Sequence, residues 1–260
     1  MFRNFYEIDM TPKLLGTFGF VDAKDFLFQK LYPISRFIGD IKGCDDHIEK
    51  FVELHCKQKS LNDFLLNIGI PNQSIVSIFS DQSGKNIISS TTLIKERNKH
   101  LRLNIFLKFD PINPDSLELG HIEMLNQSGS NYTGSGIGTR VIYSICKGAL
   151  NLGLKNFDLI ALKGAKNNGY YTWPRLGFDK EFNEVEIRTF RNVMKRNSDL
   201  PIDEIRYVSD FMRTKEGRVF WRKYGIALPL TFDLQGDSDS WATLNAYLRE
   251  KRINITQFCP

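Results

Sequence analysis

Between Gly134 and Phe178 the chain reads GSGIGTRVIYSICKGALNLGLKNFDLIALKGAKNNGYYTWPRLGF. A glycine-rich turn opens an apolar-periodic helix, a short apolar run follows, and a second helical stretch ends at Leu176-Gly177-Phe178. A strand on either side of such a helix predicts a parallel pair joined by a crossover. Glycines at a helix start collect backbone N–H groups that lack an intrahelical acceptor, at the positive end of the helix dipole. That arrangement suits a phosphorylated ligand. Which ligand depends on the elements around the turn.

Upstream of the turn the texture is β. SIVSIFS, NIISSTTLI and LRLNIFLKF are separated by the turn Asp81-Gln82-Ser83-Gly84 and by charged residues, and DPINPD leads into SLELGHIEML. Leu101, Leu103, Ile105 and Leu107 alternate onto one face. Three or four antiparallel strands are expected, with the parallel pair grafted onto them. The helix from about Gly138 to Leu152 should bury Val141, Ile142, Ile145, Ala149 and Leu150, and FDLIAL reads as a compact buried strand.

Before residue 74 the pattern is mainly helical, with apolar positions at Phe26, Leu27 and Leu31, at Ile48, Phe51 and Val52, and at Leu61, Phe64, Leu65 and Ile68; FYEID is a candidate short strand. Cys44, Asp46, His47, Glu53, His55 and Cys56 are metal-ligating by type, but their spacing is not a zinc pattern and packing of an amphipathic helix accounts for them. No metal is expected. After Phe178 the chain turns helical through VEIRTFRNVMKR, IDEIRYVSDFMR and GRVFWRKYG, then gives the strand ALPLTFDL and a last helix capped by Asp237 or Ser238. The fold class is α/β, an α+β mixed sheet in a single domain over 1–260. It divides into a helical N-terminal region (1–73), a core (74–180), a helical insertion (181–226), and a final strand and helix (227–260).

Two phosphate-loop types fail on the residues. A P-loop needs Lys-Ser/Thr after its last glycine, and no Lys occurs in this turn. A dinucleotide fingerprint needs a third glycine where Thr139 stands and an acidic residue at the end of the next strand, whereas Asp158 lies near its start. The order of strand, Gly-x-Gly-x-Gly turn, helix, strand, Asn-containing helix and Leu-Gly-Phe resembles the GNAT superfamily of N-acyltransferases. The resemblance covers residues 117–178 well and the strands from residue 75 more loosely. GSGIGTRVI is similar to that family's pyrophosphate loop, and NNGYYTWPRLGF to its segment ending in Gly-Phe.

The resemblance implies acetyl-CoA as co-substrate. Its pyrophosphate would lie on Gly134, Gly136, Ile137, Gly138 and Thr139, with Arg140 adding charge and Asn168 near the cofactor. It also implies a gap between the strand ending near Leu125 and the strand beginning near Phe157. The pantetheine arm would enter there and pair with the backbone at Glu123, Met124 and Leu125. The sequence departs from the pattern in four places: Thr133 begins the loop, NQSGSNY is longer, Asn167 and Asn168 are shifted, and Trp173 stands where many members have tyrosine.

Acyl transfer to an amine needs a base for the amine proton and an acid for the leaving thiolate. Glu123 is the first candidate base and His121 the second, two residues away on the same face. Glu118 should face the other side if alternation is regular. Tyr170 is the candidate acid, with Tyr171 as its alternative, because the indole of Trp173 cannot serve as one. In the insertion, Phe190, Phe211, Phe220 and Trp221 either shape an acceptor groove or pack a core. The acceptor amine stays open: protein, small molecule or aminoacylated RNA.

Net charge is +5, and between Arg188 and Lys223 ten Lys/Arg face five Asp/Glu. Arg188, Arg191, Lys195 and Arg196 at helical spacing read as a solvated face, or as a docking surface for an acidic partner or nucleic acid. The non-enzymatic alternative is a degenerate acyl-CoA-binding module acting through partners. Residues 1–13 carry acids where a signal peptide has its apolar region, and no run approaches the roughly 20 apolar residues of a membrane span. A soluble cytoplasmic protein without membrane partners is expected.

Overall fold

The computed structural model describes residues 21–22, 75–80, 86–96, 99–110, 113–126, 136–164, 167–197, 200–201 and 204–253. The helices and the FYEID strand expected before residue 74, the Cys44–Cys56 cluster, the Gly84 turn and Gly134 lie outside them.

The strands are β1 (Val21–Asp22), β2 (Ile75–Ser80), β3 (Asn86–Glu96), β4 (Lys99–Asp110), β5 (Asn113–Asn126), β6 (Asn156–Ala161) and β7 (Leu228–Asp233). They form one mixed sheet in the order β1-β3-β4-β5-β6-β7, with β2 also on β3. β1 and β2 share the outer edge of β3, β2 antiparallel along Asn86–Thr91 and β1 parallel at Ile94 and Lys95. The β5–β6 pair is parallel and the remaining pairs, β3–β4, β4–β5 and β6–β7, are antiparallel.

The β5–β6 crossover is α1 (Ile137–Asn151), which starts one residue before the expected Gly138. Val141, Ile142, Ile145 and Ala149 are buried as their spacing predicts, and Leu150 is half-buried. They join one apolar cluster with Leu101, Leu103, Ile105, Leu107, Leu117 and Leu119 of the sheet. The closing helix α6 (Asp239–Glu250) follows Ser238 at its N-cap and adds Trp241, whose ring meets Tyr143 of α1 and Phe232 of β7 edge to face. α1, α6 and the core face of the sheet are thereby packed together.

β6 is buried on that face alone. Phe157, Leu159 and Ala161 are inside, but Ile160 is 62% exposed and Leu162, just past the strand, 51%. FDLIAL is therefore not a fully buried strand: an apolar run reads the same whether one face of a strand is covered or two.

The segment after β6 forms α2 (Gly169–Arg175), which has Pro174 inside it. A proline removes the amide that would bond the carbonyl of Tyr170. The indole Nε1 of Trp221 donates to that carbonyl instead, at 2.7 Å. Gly177 follows at φ 94°, and a Cβ there would overlap the Ser240 carbonyl oxygen, so only glycine lets α2 turn back beneath α6. Phe178 then packs between Phe157, Phe232 and Trp173.

Residues 181–226 hold α3 (Glu184–Asn197), α4 (Asp210–Arg213) and α5 (Lys215–Tyr224). α3 opens with a reciprocal box: the Glu186 amide donates to Asn183 Oδ1, and the Asn183 amide donates to Glu186 Oε2. Of IDEIRYVSDFMR, read as a helix, the described residues hold one α-helical turn, α4. The amides of Phe182 and Val208 donate to the carbonyls of Arg206 and Lys180, and Asp210 Oδ2 accepts from the amides of Arg206 and Tyr207. Backbone pairing with residues 180–182 takes the place of helix there. Phe190, Phe211, Phe220 and Trp221 stack on one another and on Phe182 and belong to the same apolar cluster as the sheet. They pack a core.

Candidate functional site

β4 alternates without interruption: residues 101, 103, 105, 107 and 109 are buried and those between them are not. Its partner β5 does not. Leu107 pairs with Leu119 but Phe106 pairs with His121, leaving Gly120 as an extra residue, a β-bulge. Glycine carries no side chain to be placed on either face there. The bulge resets the alternation of everything after it. Glu118, His121 and Glu123 pair with Lys108, Phe106 and Asn104, three consecutive positions of one β4 face. Glu118 therefore shares the face of His121 and Glu123, contrary to regular alternation.

That face carries a row of polar contacts. Thr91 Oγ1 donates to Asn104 Oδ1 at 3.0 Å, and Asn104 Nδ2 donates to Glu123 Oε2 at 3.3 Å. His121 Nε2 lies 3.9 Å from Glu123 Oε2, and the His121 ring packs against Phe106. Glu118 is paired with Lys108 at 2.9 Å. Farther along, Asp158 of β6 accepts hydrogen bonds from Ser116 of β5 and, at 2.6 Å, from Thr231 of β7. A cleft of about 250 Å³ opens on this side, lined by Lys108, Ser116, Glu118, Asp158, Ile160 and Pro229. Asn104, Lys108, Ser116 and Thr231 are absent from the sequence reading, and Asp158 enters it only as an acid at the wrong end of its strand for a dinucleotide site. Their only trace in the chain is polar residues at the alternate positions of strands, and strand register is needed to bring them together.

β5 and β6 pair only from Ser116–Asn156 to Leu119–Leu159. Beyond that point β5 runs on through Gly120, Met124 and Leu125 to Asn126, and its edge takes no strand partner among the described residues. Met124 is half-buried and Leu125 buried, on opposite faces. The parallel pairing thus ends where the bulge begins.

At the other end of the crossover, Gly136 occupies the left-handed region at φ 75° as N-cap of α1. Gly136 has no side chain to cap this helix, and no acid stands in its first turn. The first-turn amides at Gly138 and Thr139 have no intrahelical acceptor by geometry. A Cβ added to Gly138 would meet nothing within 4 Å, so packing does not demand glycine at this position. Arg140 is half-buried, and its Nε is enclosed without a hydrogen-bond partner. Ile253, past α6, packs against Gly136.

α2 carries the other expected residues. The Tyr170 hydroxyl donates to the Arg222 carbonyl at 2.7 Å, and Lys163 Nζ sits 4.9 Å from its ring centre. Tyr171 lies between the guanidinium groups of Arg175 and Arg222. Trp173 packs on Phe178 and against Gly169, and Asn168 is exposed at the helix N-cap. The structure therefore brings Glu123 and His121 together, adds Glu118 to their face, and ties Tyr170 and Tyr171 to the insertion.

No family model matches the sequence, and no curated protein or solved structure matches it either. Among the described residues no helix is long and apolar enough to cross a membrane, and no group of His, Cys, Asp and Glu is arranged to hold a metal ion.

Proposed function

We propose that the chain is a GNAT-like N-acyltransferase that moves an acetyl group from acetyl-CoA to an amine within a ternary complex. The observation that supports this reading is that β5–β6 pairing ends at Leu119–Leu159, at the Gly120 bulge, and that the helix joining the two strands has an N-cap, Gly136, without a side-chain cap and has room for a Cβ at Gly138. Where that pairing ends, β5 has backbone groups for an extended, amide-containing arm to pair with. An uncapped helix start with no nearby acid favours a pyrophosphate. Arg140 has a donor to give that anion.

In this reading the amine nitrogen attacks the thioester carbonyl carbon, and the C–S bond breaks as the tetrahedral adduct collapses. Glu123, oriented by Asn104, takes the amine proton directly or through His121. The unpaired β5 amides beyond the bulge stabilise the oxyanion. Tyr171 or Tyr170 returns a proton to the CoA thiolate, and Tyr170 must first leave the Arg222 carbonyl. That engagement, together with the packed indole of Trp173, favours the second reading: a module that binds acyl-CoA without turnover.

Calorimetric titration with acetyl-CoA, with ATP as control, tests both. Saturable binding that is lost in Gly138→Asp supports the site, and thiol release with an amine then separates enzyme from binding module. Absence of binding at millimolar ligand would sink both readings.

A further inference from the structure

We infer that the surface formed by α2, the end of α5 and the end of α6 docks single-stranded nucleic acid, independently of the acyltransferase reading. Three segments far apart in sequence meet there through basic–aromatic contacts. Lys163 reaches Tyr170 and the carbonyls of Lys223 and Gly225. Arg222 and Arg175 flank Tyr171, and Arg175 continues onto Tyr247 at 4.8 Å. Lys251 lies 5.9 Å from the Tyr247 ring, and Lys223 lies 4.9 Å from that of Tyr224.

The exposed charges at the ends of α5 and α6 are basic but for Glu250. Lys163, Arg222, Lys223, Arg249, Lys251 and Arg252 are exposed. The carboxylate that these contacts reach is Glu250, already held by Arg175 at 2.7 Å and Lys251 at 3.3 Å. A solvated helix face would distribute its cations singly or beside acids on the same helix. Here cations from separate elements are seated on tyrosine rings, which holds guanidinium forks in place for phosphate and lowers the ordering cost of binding. Interleaved aromatic and basic side chains suit a flexible strand, whose phosphates take the cations and whose bases offer π-faces to ring edges and guanidinium planes. A duplex, with its bases stacked inside, would use only the charges.

The test is fluorescence anisotropy of the full chain with a labelled oligouridylate of about 20 nucleotides, long enough for one site of this kind, across a salt series. Arg222→Ala, Lys223→Ala and Lys251→Ala together should weaken binding at least about tenfold and flatten the log–log salt slope by about 2, as expected for three lost phosphate contacts on a single strand. Arg188→Ala, Lys195→Ala and Arg196→Ala on α3 remove the same charge from exposed positions and should leave binding within about twofold, since distant sites act independently. Lys223→Ala alone, at an exposed position, repeats the test if the triple variant misfolds. Equal losses in both triple variants would reduce the effect to net charge and overturn the assignment. So would no binding at low salt, or tighter binding to phosphatidylglycerol vesicles than to the oligonucleotide.

Discussion

Glu118 and Glu123 face the same side of β5 although an odd number of positions separates them, because Gly120 is bulged out between them. Each is held by a different β4 residue, Glu118 by Lys108 in an ion pair and Glu123 by Asn104 in a hydrogen bond. In the proposed reaction this difference in partners would separate their roles. The Glu118 carboxylate is already engaged by a cation, whereas the Glu123 carboxylate is held by a neutral amide.

Glu123→Gln should therefore lower kcat in a thiol-release assay by about 10²-fold while leaving the KM for acetyl-CoA nearly unchanged, the scale of a lost general base. Glu118→Gln should leave kcat nearly unchanged. If the two losses are exchanged, the bulge has made Glu118 the base.

Gly138→Asp should separate folding from binding. A Cβ at this position meets open space, and Gly138 is not among the glycines with positive φ. A carboxylate in the first turn of α1 interacts favourably with the helix dipole, worth about 0.3–1 kcal/mol, and replacing glycine adds helix propensity. The variant should melt at or above the parent temperature in a thermal scan, yet lose acetyl-CoA binding in the titration. A variant that unfolds would show that Gly138 is structural.

Gly177→Ala should have the opposite character. Here φ is 94° and the new methyl group would overlap the Ser240 carbonyl oxygen, so both backbone and packing resist it. Urea unfolding should show a loss well above about 1 kcal/mol, beyond that of a glycine at a compatible position.

Asp179 supplies a pH dependence. Burial pushes its carboxyl above the usual range, against the pull of hydrogen bonds from Ser209 and Lys180, and nearby Asp210 adds to the rise. A carboxyl whose folded pKa is raised binds more protons folded than unfolded, so its contribution to stability falls as pH rises. The fall begins near the unfolded value of about 4 and is complete above the raised folded value. Asp179→Asn keeps an oxygen for the Ser209 and Lys180 amides and removes the buried charge. Its stability relative to the parent should rise with pH through that window and then level off, as read from urea unfolding between pH 4 and 7. A difference independent of pH would mean that Asp179 titrates normally.

The chain by itself determined the elements with a strong period: the alternation of β4, the buried stripe of α1, the crossover between parallel strands and the final strand and helix. Local periodicity is enough for these because one buried face imposes it residue by residue. It also singled out the glycine turn and the Glu123–His121 pair, which are contiguous. Tertiary structure alone decided what depends on neighbours far away in sequence. Ile160 reads as core but faces outward because one side of β6 is left uncovered, and residues 205–208 pair with residues 180–182 in place of helix. The placement of Glu118 hangs on a bulge whose glycine looks like any other in a strand. The basic–aromatic surface exists only because α2, α5 and α6 converge, bringing Lys163, Arg222 and Lys251 together from three segments whose charges, read along the chain, look like ordinary solvated faces.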